Sequence, residues 1–337
     1  NIIHNGAMRI AQRSISSTSN GYATVDRFKF FKSSTVDNLN FTQSQSTDAP
    51  TGFFSNSYKI DITTAESTLD SNEYLICSQR VEAQDLERIQ GNQFTLSFYV
   101  KAAQTGTYSI NIYQQDGNRQ VTKTYTISSA NTWERKTLTF PANSGTKPDF
   151  NNDLGWEIAW ILAAGTDYTS SDSTSWGSYS DGGFAFGQAV NVASSTSNDW
   201  LLTGVQLEVG TQATDFEHRS FTEELQICKR YFQKMSRSNQ ETFIAGYFES
   251  DTIGRHALPL PVTMRTDPSV TFSAASTFTN IYTGSLTAGT SVSTINVNPE
   301  CIFTTLTVGS GGGNDGQACL LGAKSGATAT ISMDAEL

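Results

Sequence analysis

Apolar and polar residues alternate at every second position through most of this chain, and that alternation leaves little choice of fold. Phe94, Leu96, Phe98 and Val100 are interleaved with Thr95, Ser97 and Tyr99. Such a pattern presents one apolar face only when the backbone is extended. Tyr108, Ile110 and Ile112 repeat it, and the Asp116-Gly117 pair that follows is a hairpin signal, because both residue types tolerate the positive φ of a tight turn. Residues 121–127, 132–140, 155–165 and 201–210 continue the series, separated by Gly, Asn and Asp clusters. The spacing predicts an all-β chain whose residues 1–219 form a jelly-roll sandwich of antiparallel sheets. Twenty Phe against four Met suits β structure, and 37% hydrophobic residues suffice for real cores. Trp133, Trp156, Trp160 and Trp200 lie in or beside strands and are read as core.

One segment breaks the period. In residues 221–235 the apolar Phe221, Leu225, Cys228 and Phe232 recur at i, i+4, i+7 and i+11, a helical stripe. Ser220 followed by Glu223 forms a capping box at its start. A linker helix is therefore expected over 220–236, with Phe221, Leu225 and Phe232 facing a sheet or a neighbouring subunit. Residues 237–337 return to strand patterns, of which Ala327, Ala329, Ile331, Met333, Ala335 and Leu337 are the most regular. A distal β-sandwich domain is expected there. Its large apolar residues are few, so its core is thin, and such units gain stability by self-association.

Several functions are disfavoured by composition. The sum of 22 basic and 32 acidic residues is −10, and after Arg265 the only basic residue is Lys324. A partner held through phosphates needs a basic face, so nucleic acid is not expected. The four cysteines, Cys77, Cys228, Cys301 and Cys319, contain no C-x-x-C pair; we expect four small buried hydrophobes, with no metal and no cofactor. No apolar run is long enough to insert in a membrane. The chain opens on Asn1, and we expect residues to precede it.

Tests for chemistry are mostly negative. Only His4, His218 and His256 could serve a nucleophile, and no G-x-S-x-G elbow occurs. His218, in DFEHRS, is read as a structural polar residue at a domain junction. Gly311, Gly313 and Gly316 spell G-x-G-x-x-G but precede a broken, strand-like segment instead of a helix, so the match is compositional. Asp149, Asp153, Glu157, Asp167, Asp172 and Asp181 crowd one stretch. They read as turn-capping residues, while a carboxylate pair for glycan cleavage or a calcium site stays an alternative. The expectation is a non-enzyme.

The most informative local feature is aromatic. Between Gly165 and Phe186 runs a polar, Gly-rich loop that carries Tyr168, Trp176 and Tyr179. Loops this long inside a compact β domain are usually functional. Flat aromatics beside hydroxyls and carboxylates suit sugar rings, which stack on one face and hydrogen-bond at the edge. The same aromatics could instead pin the loop to the sandwich edge or fill a subunit interface. Both readings stand at this point.

Three stretches carry a family likeness: NIIHNGAMRIAQRS, then GNQFTLSFYVKA with TWERKTLTF, and NDWLLTGVQLEVGTQATDFEHRSFTEELQICKRYFQK. Together they make residues 1–234 resemble structural proteins of tailed bacteriophages, above all tail-fibre or appendage proteins of cyanophages. The resemblance implies a jelly roll similar to carbohydrate-binding modules, a place on the virion at the tail or capsid surface, and a homotrimer contacting other virion proteins. It implies adhesion to host-surface glycan, with a capsid fibre, decoration or connector protein as the structural alternative and a glycan depolymerase as the enzymatic one. The motifs themselves are strands facing a core, so no binding residue transfers from them.

Overall fold

The computed structural model describes residues 1–282, 285–309 and 312–337; Gly311 of the glycine motif lies outside the described residues. The chain divides into two compact units, residues 1–225 with Leu337, and residues 226–336.

The first unit follows the alternation. In chain order its strands are β1 (Ser16–Ser17), β2 (Phe28–Lys32), β3 (Asn40–Ser46), β4 (Ser57–Thr64), β5 (Tyr74–Glu82) and β6 (Phe94–Ala102). There follow β7 (Gly106–Gln114), β8 (Arg119–Ile127), β9 (Glu134–Phe140), β10 (Leu154–Ala164), β11 (Gly177–Ser178) and β12 (Asp199–Val209). They form two six-stranded sheets, β1-β3-β4-β12-β6-β9 and β11-β8-β7-β10-β5-β2. Every pairing in them is antiparallel. Apart from the β3-β4 and β7-β8 hairpins, neighbours in the sheets are not consecutive in sequence, as the crossing connections of a jelly roll require.

The core between the sheets is aromatic. Phe94 stacks on Phe140 with centroids 5.1 Å apart and planes 6° apart, and Phe98 meets Trp160 edge-on at 5.9 Å. Trp156, Trp160 and Trp200 are fully buried. Trp133 is not: it is half-exposed, and its Nε1 donates to Asp48 Oδ1 at 3.0 Å. It stands just before β9 begins at Glu134, outside the alternation that turns side chains inward.

The expected helix is shorter than its stripe. A four-residue α1 (Asp181–Phe184) is followed by α2, which spans Phe221–Lys229. The capping box forms as expected, Ser220 N donating to Glu223 Oε2 at 2.9 Å and Glu223 N to Ser220 Oγ at 3.2 Å. Phe232 instead opens β13 (Phe232–Ser238), seven residues of which pair with the last strand of the chain. A full ladder outweighs the weak helical preference of residues 230–235. Phe221 is exposed and Leu225 half-buried, whereas Phe232 is buried and is withdrawn from any partner-facing stripe. The division between the units also falls inside α2, so 220–236 is not a separate linker.

The second unit is not a sandwich. After β13 come β14 (Thr242–Phe248), β15 (Ile253–Pro259), β16 (Ser269–Phe272), β17 (Phe278–Tyr282) and β18 (Ser285–Asn298). Then come β19 (Cys301–Val308), β20 (Ala318–Ala323) and β21 (Thr328–Asp334). Six of them close into a barrel, β14-β15-β19-β18-β17-β20, beside a three-stranded sheet, β13-β21-β16. Closure suits a thin core, since a small barrel needs few large side chains to fill it and leaves no open edge. The regular terminal pattern becomes β21, with Ala329, Ile331 and Met333 buried. Cys77, Cys228 and Cys319 are buried as expected, while Cys301 is half-buried.

Candidate functional site

The outer face of the β11-β8-β7-β10-β5-β2 sheet should be polar by alternation, yet it carries a cleft of about 400 Å³. Register builds its floor. On β10, Trp156, Ile158 and Trp160 point into the sandwich core, so Glu157 and Ala159 point outward. Glu157 is paired with Arg80 on β5 and with Tyr113 on β7, which sets those three side chains in one row across the sheet. The next row places Lys29, Ser78, Ala159 and Asn111 side by side on β2, β5, β10 and β7.

The walls are aromatic. Phe31 and Tyr74 rise from β2 and β5, and Tyr168, Tyr179 and Phe184 descend from the 165–186 loop. Tyr168 meets Tyr74 edge-on at 4.9 Å, Phe184 meets Tyr74 at 5.4 Å, and Tyr179 meets Tyr113 at 5.3 Å. The loop is held down at its start by close backbone approach: Gly165 N donates to Glu73 O at 2.7 Å. A Cβ on Gly165 would lie 2.1 Å from the Asp70 carbonyl oxygen.

Polar groups are few and placed. Asn111 is fully buried; its Nδ2 donates to Gln120 Oε1 at 3.1 Å and Thr122 Oγ1 at 2.9 Å. Its Oδ1 has no hydrogen-bond partner among the described residues. A buried acceptor of that kind favours a donor arriving from outside the protein. Tyr113 and Tyr179 direct their hydroxyls to Asn118 Oδ1 at 3.1 Å and Asp181 Oδ1 at 3.0 Å. Glu157 Oε1 lies 2.9 Å from Lys29 Nζ and accepts from Ser78 Oγ at 2.8 Å, while Oε2 accepts from Arg80 Nε at 3.2 Å. Burial alone would raise the Glu157 pKa, but Lys29 and Arg80 outweigh it and hold the carboxyl below its usual range. Burial pushes the Tyr179 phenol up, and its bond to Asp181 adds to that rise.

Of the three loop aromatics singled out in the sequence, the structure brings Tyr168 and Tyr179 to the cleft and Trp176 elsewhere. Trp176 packs on Trp156 at 5.6 Å, and its Nε1 donates to Pro141 O at 2.9 Å. It pins the loop to the sandwich edge. Of the acidic cluster, only Glu157 and Asp181 line the cleft. Asp172 caps its own turn, accepting from Thr174 N at 2.8 Å, and Asp167 accepts from Ser71 Oγ at 3.0 Å. Among the described residues no three His, Cys, Asp or Glu side chains gather at a metal-binding separation. His218 stacks beside Phe216 and Phe54, with centroids at 4.8 Å and 5.5 Å, away from the cleft. Sequence reasoning missed Tyr74, Asn111 and Tyr113. The available signal was two tyrosines and an amide at outward-facing positions of otherwise regular strands.

No family model matches the chain, and no curated protein matches it. Among solved structures, it is similar to the enzymatically active domain of tailspike protein 4 from bacteriophage CBA120, at 14% identity, with 62% of this chain and 21% of that one covered and a TM-score of 0.34. The chain thus spans about a fifth of the length of that tailspike domain. It is also similar to a CBM4 structure at 14% identity, with 62% and 100% covered and a TM-score of 0.35. A family 11 carbohydrate-binding module from Clostridium thermocellum, in complex with a β-1,3-1,4-mixed-linked tetrasaccharide, shares 9% identity over 60% and 98% of the two chains, with a TM-score of 0.31. The jelly-roll assignment rests on the strand order of the sandwich, and no residue correspondence is taken from these likenesses.

Proposed function

We propose that the sandwich is a glycan-binding module of a tailed-phage virion protein, a tail fibre or appendage that adheres to the host surface. The observation that carries the binding role is the cleft itself. It combines aromatic walls from two strands and a loop with a buried hydrogen-bond acceptor on its floor, the two features by which sugar rings are held. The virion role is supported by the phage-like motifs of residues 1–234. A homotrimer suits this reading, since weak sites gain avidity when several copies act together.

What supports binding over cleavage is the state of the acidic groups. A glycosidase needs a carboxylic acid with a raised pKa opposite a second carboxyl. Glu157 is held the other way, ionised between two cations. The test is direct. The full chain is titrated with host-surface polysaccharide alongside Tyr113→Ala and Tyr168→Ala, and reducing ends are assayed after long incubation. Binding by the native chain that both substitutions weaken, without new reducing ends, supports the proposal. Absence of binding, or product formation that needs Glu157, overturns it.

A further inference from the structure

We infer that the cleft accepts an uncharged glycan and turns away chains bearing carboxylate or sulfate groups. This rests on the glycan-binding reading and adds the class of sugar. Four ionised side chains line the cleft, Lys29 and Arg80 against Glu157 and Asp181, so the charges balance. Neither cation is presented to a ligand alone. Lys29 Nζ and Arg80 Nε both engage the Glu157 carboxylate, at 2.9 Å and 3.2 Å. An acidic sugar would have to compete with Glu157 for both cations, and displacing Glu157 would leave a largely buried carboxylate unpaired. Arginine normally grips a carboxylate with two parallel N–H groups, and here Nε already donates to Glu157 and Nη1 to Leu337 O at 2.7 Å.

The two cations sit together at Glu157, so the charges beside the aromatic walls are acidic. Asp181 stands on the wall with its charge toward the Tyr179 hydroxyl. The phenols of Tyr74, Tyr113 and Tyr168 are raised, first by burial and then by nearby charges that include Glu157, Asp116, Asp167 and Asp181. The chain as a whole carries −10, which opposes polyanions at long range as well. A neutral ring meets none of these costs: it stacks on the tyrosines and gives a hydroxyl proton to Asn111 Oδ1.

The experiment measures equilibrium binding of the full chain to immobilised hexasaccharides in about 0.15 M salt, where long-range charge effects are screened. Gluco-, xylo-, galacto- and manno-hexaoses form the neutral set, with hexagalacturonate and hexaguluronate as the acidic set. The expected result is binding to a neutral hexamer, weakened by Tyr113→Ala, with acidic hexamers at least about tenfold weaker, or about 1.4 kcal/mol. Glu157→Gln, checked for folding by circular dichroism, releases both cations and is expected to gain affinity for hexagalacturonate. Equal or tighter binding of acidic hexamers by the native chain overturns this inference while leaving glycan binding intact. So does a folded Glu157→Gln variant with no such gain. Failure to bind either set overturns the glycan-binding reading together with it.

Discussion

Lys29 and Glu157 meet at 2.9 Å although β5 lies between their strands in the sheet. The intervening strand adds Ser78 and Arg80 to the same carboxylate, so Glu157 is satisfied by three residues from two strands. One acidic side chain therefore ties three strands together on the face that bears the cleft.

Removing that charge has a defined cost. Glu157→Gln leaves two poorly solvated cations without their anion and is expected to destabilise the sandwich by about 3 kcal/mol at neutral pH. Because the folded carboxyl is held below its usual range, its contribution is complete above the unfolded value of about 4 and is lost as pH falls through the folded one. Urea unfolding at stepped pH checks this. The gap between native chain and variant should close on acidification, and a gap that stays constant would contradict the ion-pair account.

Tyr113 and Trp176 are expected to behave oppositely. Tyr113→Ala removes an aromatic ring from the cleft floor and should weaken glycan binding about tenfold, the order of one aromatic contact. Trp176→Ala removes the loop's anchor on Trp156 and Pro141 and should cost about 2 kcal/mol of stability. Calorimetric titration and thermal melts of both variants separate these roles. A Tyr113 variant that binds normally would remove the cleft from consideration.

Gly165 lets the loop start in close contact with the 70–73 backbone. Alanine there would drive a Cβ against the Asp70 carbonyl oxygen, which is backbone and has little room to move. Gly165→Ala should cost about 2 kcal/mol or more and reduce affinity at the same time, because Tyr168 follows three residues later. Normal stability and normal binding in this variant would show that the loop tolerates displacement.

The barrel carries its own acid sensitivity. His256 is only 3% exposed, its Nε2 lies 3.5 Å from Cys319 Sγ, and burial, only partly opposed by the neighbouring Asn280 side chain, lowers its pKa from 6.5 to about 4. Between those values the unfolded chain holds a proton that the folded barrel does not. Stability of that unit therefore falls as pH drops from 6.5 to 4, by about 3 kcal/mol in all. The difference between native and His256→Gln melting curves isolates this contribution from the carboxylates. A difference that does not change with pH across that window would rule it out.

The sequence by itself determined which residues face inward and which outward along each strand, because side-chain direction in extended chain has period two and needs no partner. It also determined where α2 starts, since the Ser220–Glu223 exchange is made within one turn. Where α2 stops was decided by a strand nearly a hundred residues away, as β21 drew Phe232 and its neighbours into a ladder. Closure of the distal strands into a barrel was decided the same way, by pairings between residues distant along the chain. The cleft shows the division most clearly. Alternation turns Tyr74, Arg80, Asn111, Tyr113 and Glu157 outward, but only the register of β5, β10 and β7 sets them side by side. Register depends on which strands pair and at what offset, a tertiary property that no local pattern encodes.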